Sequence, residues 1–255
     1  MFTPHELQKV VFFDLETASS HATLDDLHID NPKMAELWSK RCEYLRSRFE
    51  ENKHMTDEQL YINKAALTPE FARIICASFG RLSFTASGDP DISPGKYAHS
   101  LTIKSYSSTD ELIVLDGIEK VFTSFAAYKF SGHNIKRFDV PMMCKRLLMN
   151  GKSLPKGLQI QNLKPWDMPF IDTSELWSFG AWQESFASLE LLATSLSLET
   201  PKSDIKGEEV GKIFWQDRDI DRITEYCQRD VLAVAQSILK LSNLDIVENY
   251  QLQKS

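Results

Sequence analysis

Residues 9–15 form a short, strongly apolar run that ends in acid, the pattern of a buried strand. Over residues 31–52 the spacing becomes helical. Met34, Leu37, Trp38, Cys42, Leu45 and Phe49 recur along one stripe, with Asn31 placed to cap and Pro32 in the first turn. Thr56 and Gln59 have capping-box spacing, so a second short helix is expected there. Residues 73–79 and 101–106 read as strands, separated by the Gly/Pro/Asp/Ser-rich loop 87–96. Residues 109–126 predict an amphipathic helix with Leu112, Leu115, Ile118, Phe122 and Phe125 on one face. A strand over 128–131 and a helix over 138–149 follow, the latter ended by Asn150-Gly151. Residues 151–167 read as loop and 169–173 as a fifth strand. Helices are expected over 184–197, 207–215 and 219–241, the last with an apolar stripe of Ile223, Cys227, Val231, Val234 and Ile238. Three strands, then alternating helix and strand, then helices, imply one α/β domain over residues 1–255 with a mixed sheet and a helical insertion at about 20–66.

Composition narrows the function. Apolar residues make up 42% and charged residues 25% of the 255, near the average for a globular protein, which excludes disorder and fibrous folds as the main character. The net charge is −7, whereas a protein that coats long duplex DNA by charge alone is normally basic. An enzyme that grips only a strand end is compatible with that balance. No apolar run approaches ~18 residues, so no membrane span and no membrane partner are expected. Cys42, Cys76, Cys144 and Cys227 are far apart and form no CxxC pair, which reads as reduced thiols in a cytoplasmic protein.

The chemistry lies in the acids. In Phe13-Asp14-Leu15-Glu16-Thr17, Asp14 and Glu16 are two apart on a strand and point to the same face. Paired carboxylates at a strand end suit hard cations such as Mg²⁺ or Mn²⁺, although a solvated strand end is the ordinary alternative. Gly132-His133-Asn134-Ile135-Lys136-Arg137-Phe138-Asp139 sits where a strand ends and a helix begins; there an acid in a first helical turn is unremarkable by itself. Tyr226 and Asp230 are four apart on the last helix and share one face, which also describes an exposed acid beside a half-buried tyrosine.

Together, Phe13-Asp14-Leu15-Glu16-Thr17, Asn134-x-x-x-Phe138-Asp139 and Tyr226-x-x-x-Asp230 resemble the three exonuclease motifs of the DEDD 3′-5′ exonuclease superfamily. The tyrosine four residues before the last Asp resembles the DEDDy branch; a histidine-type member carries His five residues before it, where this chain has Glu225. Lys164-Pro165-Trp166, Ile171-Asp172-Thr173, Ser188-Leu189, Pro201-Lys202, Gly207 and Asp230-Val231 are similar to stand-alone bacterial exonucleases related to the exonuclease domain of family-B DNA polymerases. The resemblance covers residues ~8–240, with 20–66 the least matched part. It implies an RNase H-like fold, a mixed five-stranded sheet flanked by helices.

The resemblance also implies roles. Asp14, Glu16, Asp139 and Asp230 become the carboxylates for two divalent cations, Mg²⁺ or Mn²⁺, with Tyr226 beside the attacking water. Thr17, Asn134 and Phe138 become contacts to the terminal nucleotide. The expected partner is a nucleic acid 3′ end, preferentially single-stranded DNA with RNA as the alternative; no protein partner is indicated. Asp172 reads as structural rather than as support for the metal ligands. His133 reads as a packed or hydrogen-bonded histidine, and Lys136 and Arg137 equally as phosphate contacts or a solvated basic pair. The helix after the first acid pair is a candidate lid over the strand entrance. No Gly-x-Ser-x-Gly, P-loop or Gly-x-Gly-x-x-Gly occurs. Two other readings are a catalytically silent nucleic-acid-binding or scaffold protein on the same fold, and a phosphatase with Asp14 as nucleophile. The complete acid set speaks against the first; Glu rather than Asp at position 16 speaks against the second.

Overall fold

The computed structural model describes residues 2–86, 97–181, 187–198, 205–247 and 250–253. The loop 87–96, residues 184–186 of the expected helix, and Pro201 and Lys202 lie outside the described residues.

In chain order the elements are α1 (Pro4–Leu7), β1 (Val10–Ser19), α2 (Leu24–Asp30), α3 (Pro32–Arg48), α4 (Asp57–Lys64), β2 (Ala72–Ala86), β3 (Tyr97–Ser107), α5 (Glu111–Ser124), β4 (Lys129–Gly132), α6 (Asp139–Met149), β5 (Phe170–Asp172), α7 (Thr173–Ser178), α8 (Leu189–Ser195), α9 (Val210–Lys212), α10 (Ile220–Leu241) and β6 (Tyr250–Gln253). The strands form one mixed sheet in the order β5-β4-β1-β2-β3-β6. β1 runs antiparallel to β2 and parallel to β4. All five expected strands are present, and β6 adds a sixth. Its residues, Tyr250-Gln251-Leu252-Gln253, alternate apolar and polar, but the run is only four residues and all are exposed, too short for the period to mark a strand.

β1 is central because it is apolar on both sides, as a strand buried on two faces must be. Val11, Phe13 and Leu15 pack with Phe79 and Phe130 and with Leu115, Ile118 and Phe122 of α5. Val10 and Phe12 pack on the other face with Leu101 and Ile103 and with Val231, Val234 and Ile238 of α10. Gly80 lets α10 close onto the sheet: a Cβ there would lie 2.7 Å from Cγ1 of Val231.

The segment after β1 folds around its own small core. Trp38 is fully buried and meets Tyr61 and Phe71 edge-on at 5.3 and 4.9 Å. The capping residues behave as their sequence predicts. Asn31 accepts from the Met34 N–H at 3.1 Å, and Thr56 and Gln59 form a capping box. α3 stops at Arg48 rather than running to 52, because Phe49 turns extended and a 3₁₀ turn follows. Its buried stripe is Ala35, Trp38, Cys42 and Leu45, while Leu37 and Phe49 are exposed. Leu112 on α5 is likewise exposed. That turn instead buries Val114 and Glu111, whose carboxylate receives the Arg146 Nε–H at 2.9 Å and the Ile74 N–H at 2.8 Å. The expected helix at 207–215 is instead a 3₁₀ turn, then α9, then a π-helical turn over Ile213–Asp217. α7 begins at Thr173, so β5 ends one residue earlier than expected.

Candidate active site

Three elements deliver the acids to one place. Asp14 and Glu16 share the α10 face of β1, opposite Ser78 and Cys76 of β2. A bulge follows at once: Thr17 pairs with Ile74, leaving Ile75 unmatched. Asp230 lies on α10 one residue before Val231, which anchors that helix to the sheet, and Tyr226 is one turn earlier. Asp139 opens α6, and its carboxylate accepts from the Leu15 backbone N–H.

The turn before Asp139 is tightly constrained. At Gly132 a Cβ would come within 2.7 Å of the Phe13 carbonyl oxygen, so only glycine lets β4 end against β1. Asn134 is left-handed at φ 58°, a conformation asparagine tolerates. Asp172 clasps this turn: one carboxylate oxygen accepts from the Asn134 N–H at 2.7 Å and from Ser174, the other from the Lys136 N–H at 3.1 Å. Asp172 is therefore a positioning residue for the segment that carries Asn134, Phe138 and Asp139. The ring nitrogens of His133 bond Thr173 Oγ1 at 2.9 Å and the Ala187 carbonyl at 2.8 Å, as expected of a packed histidine. Lys136 pairs with Glu175 at 2.6 Å.

The electrostatics single out the acids. Burial pushes Asp14 and Glu16 well above the usual carboxylate range, and the charges of Asp230 and Asp139 push them further. Asp139 rises to about 7, chiefly through burial, against the opposing hydrogen bonds from its own and the Leu15 backbone. Asp230 rises to about 6, again through burial, with the Tyr226 hydroxyl and Arg229 opposing. Burial and the charges of Asp230, Glu16 and Asp14 push the Tyr226 hydroxyl up, so it stays protonated and donates to Asp230. Asp14, Glu16, Asp139 and Asp230 thus lie within electrostatic reach of one another, and Tyr226 lies within reach of Asp14, Glu16 and Asp230.

Thr17, Asn134 and Phe138 border this cluster in sequence, but part of each is already engaged. The Thr17 hydroxyl donates to the Ala66 carbonyl at 2.9 Å, tying β1 to the inserted helices. Phe138 is half-buried against the α5-side core.

Two cysteines in the cluster escaped the sequence reading. Cys227 brings its Sγ within 4.8 Å of the ligand atoms of Asp14 and Glu16, and Cys76 pairs with Glu16 across the sheet. The Cys227 thiol donates to the Asp14 carbonyl oxygen at 3.4 Å, and burial holds it protonated. A neutral thiol is a poor ligand for a hard cation, which leaves the carboxylate oxygens of Asp14 and Glu16 as the suitable donors of this trio. Its place beside Tyr226 was the only sequence signal for Cys227; Cys76 became visible only with the strand register. Four carboxylates, Glu16 and Asp139 buried and Asp14 and Asp230 half-buried, all raised by desolvation and three of them also by neighbouring acids, form a site that fits divalent cations.

The fold and this acid cluster together define an RNase H-like domain of the kind found in polymerase-associated nucleases. The structure of the family B DNA polymerase from the hyperthermophilic archaeon Pyrobaculum calidifontis superposes with a TM-score of 0.50 at 12% identity, over 91% of this chain and 24% of that chain. The chain thus spans about a quarter of the length of that polymerase. Residues 99–244 match the family described as predicted 3′-5′ exonuclease related to the exonuclease domain of PolB, and the chain belongs to that family. The matched span holds Asn134, Phe138, Asp139, Tyr226 and Asp230 and begins after Asp14 and Glu16. No curated protein matches the chain.

Proposed function

We propose that this protein is a metal-dependent exonuclease that removes nucleotides from the 3′ end of nucleic acid, with single-stranded DNA preferred over RNA. The observation that carries this reading is the convergence of Asp14, Glu16, Asp139 and Asp230, from three elements, into one desolvated cluster in which the charge of Asp230 raises the pKa of the other three. In our reading these four acids hold two divalent cations, Mg²⁺ or Mn²⁺. When bound, such a pair supplies water activation and charge relief on the phosphate and leaving oxygens. Tyr226 orients the attacking water. Its hydroxyl is held protonated, so it serves as a hydrogen-bonding group and not as the base. The Thr17 backbone, Asn134 and Phe138 hold the terminal nucleotide, with the Phe138 ring as a stacking surface. The net charge of −7 favours a single strand end over a tracked duplex. The four thiols are free, which supports a cytoplasmic location.

The test is a time course on single-stranded DNA and RNA labelled at the 5′ end, with Mg²⁺, Mn²⁺ or excess EDTA. Stepwise shortening from the 3′ end with either metal, faster on DNA, is expected. Equal rates in Mg²⁺ and EDTA overturn the metal-dependent reading, and shortening from the 5′ end overturns the polarity.

A further inference from the structure

Alternation along β1 sends Val11 to the sheet face opposite Asp14 and Glu16. There, between the sheet and α5, lies a recess of about 330 Å³. Three cations line it, one from each of three elements: Arg81 on β2, Lys104 on β3 and Lys120 on α5. No Asp or Glu lines it, and among the described residues none of the three cations makes an ion pair. In a chain of net charge −7 this is a concentration of positive charge against the overall balance.

Two of the cations rest on aromatic faces instead of carboxylates. The Arg81 guanidinium lies 4.9 Å from the ring centroid of Phe125 and 5.3 Å from that of Tyr128. Lys104 Nζ lies 5.3 Å from the Tyr106 centroid. A ring quadrupole steadies a cation without cancelling its charge, so the recess keeps a net positive potential.

Size and lining narrow the ligand. The recess is at the low end of small-molecule pockets and much larger than one phosphate group requires. Val11, Phe79 and Val121 form its buried floor, half-buried Tyr106 and Phe125 give it an aromatic wall, and Thr102, Ser124 and Gln253 add hydrogen-bonding groups. That combination suits a flat ring with polar edges joined to a phosphate. We propose that this recess binds a free mononucleotide, its phosphate among Arg81, Lys104 and Lys120 and its nucleoside against the rings of Tyr106 and Phe125. The assignment does not depend on the exonuclease reading.

Isothermal titration of the full chain in EDTA with adenosine 5′-monophosphate, adenosine and inorganic phosphate tests it. The mononucleotide should bind saturably, and adenosine and phosphate each at least about tenfold more weakly. A double substitution, Lys104→Gln with Lys120→Gln, should weaken the mononucleotide at least about tenfold. Asp14→Ala should leave it unchanged, because that residue faces the other side of the sheet. Any of four results overturns the proposal: no saturation up to millimolar ligand, binding unaffected by the lysine substitutions, binding lost in Asp14→Ala, or phosphate binding as tightly as the mononucleotide. A 5′-phosphorylated tetranucleotide that displaces the mononucleotide at lower concentration than free mononucleotide does overturns the assignment to a free nucleotide in favour of a strand.

Discussion

Val10, Phe12, Asp14 and Glu16 of β1 face α10, whereas Val11, Phe13 and Leu15 face α5. On the α10 side the charges are anionic, Asp14 half-buried and Glu16 buried, and the acids around them raise the pKa of both. On the α5 side they are cationic and half-buried or exposed, and Arg81 and Lys104 are set on aromatic rings. The acids carry a large desolvation cost that a bound cation would relieve. The lysines and arginine keep contact with water and lose little solvation. One strand thus separates two opposite electrostatic problems by about the thickness of a sheet, and the net charge of −7 describes neither.

The largest effects should come from the acid face. Asp14→Ala and Asp139→Ala should each lower single-turnover cleavage by ~10³-fold or more, by loss of metal-borne charge stabilisation. The melting temperature of the metal-free protein should hold or rise, since each substitution removes one member of a repelling set. Near-wild-type turnover by either variant would break the assignment. Tyr226→Phe should cost less, roughly ten- to a few-hundred-fold in the chemical step, because a group that orients water without taking its proton lies at the low end of acid–base contributions. Its rate should rise with pH in parallel with wild type. A single-turnover rate equal to wild type makes the tyrosine structural.

The pKa values sharpen the same comparison. Asp139 at about 7 and Asp230 at about 6 both lie above the ordinary 3.8, so between pH ~4 and ~7 the folded chain binds more protons than the unfolded one. The stability of the metal-free protein should therefore fall as pH rises through that window. Above it the acids are ionised and their repulsion is fully expressed. Mg²⁺ should then raise the melting temperature by several degrees at pH 8 and by clearly less at pH 5, where protons compete for the carboxylates. Equal shifts at the two pH values would contradict the site. The smallest effect belongs to the cationic face: Lys104→Gln should leave cleavage of a single-stranded substrate within about twofold of wild type, as expected for a residue across the sheet from the acids.

What could be read in advance was local. The apolar run before Asp14 marks β1, because a strand buried on both faces needs no alternation to be recognised. Asn31, Thr56 and Gln59 mark helix starts through hydrogen bonds that close within three residues. Ile223, Cys227, Val231, Val234 and Ile238 mark the buried stripe of α10. α7 was missed although Asp172 caps it locally, because the same stretch also reads as the end of a strand. Leu37 and Leu112 fit a helical stripe yet lie exposed, since periodicity gives the direction of a face but not the width its neighbours cover.

The sequence by itself determined which residues carry charge, which strand and helix ends carry them, and that Asp14 and Glu16 share a face, because pleat and helix periods are properties of the backbone. Only the tertiary structure decided what lies across from them. Strand register sets Cys76 opposite Glu16, the approach of α10 over Gly80 brings Cys227 to the Asp14 carbonyl, and Asp172 reaches back some forty residues to hold the turn at Asn134. Arg81, Lys104 and Lys120 meet around one recess for the same reason. Contacts between distant segments depend on how strands pair and helices dock, and that is fixed by the packing of the whole core rather than by any local run of residues.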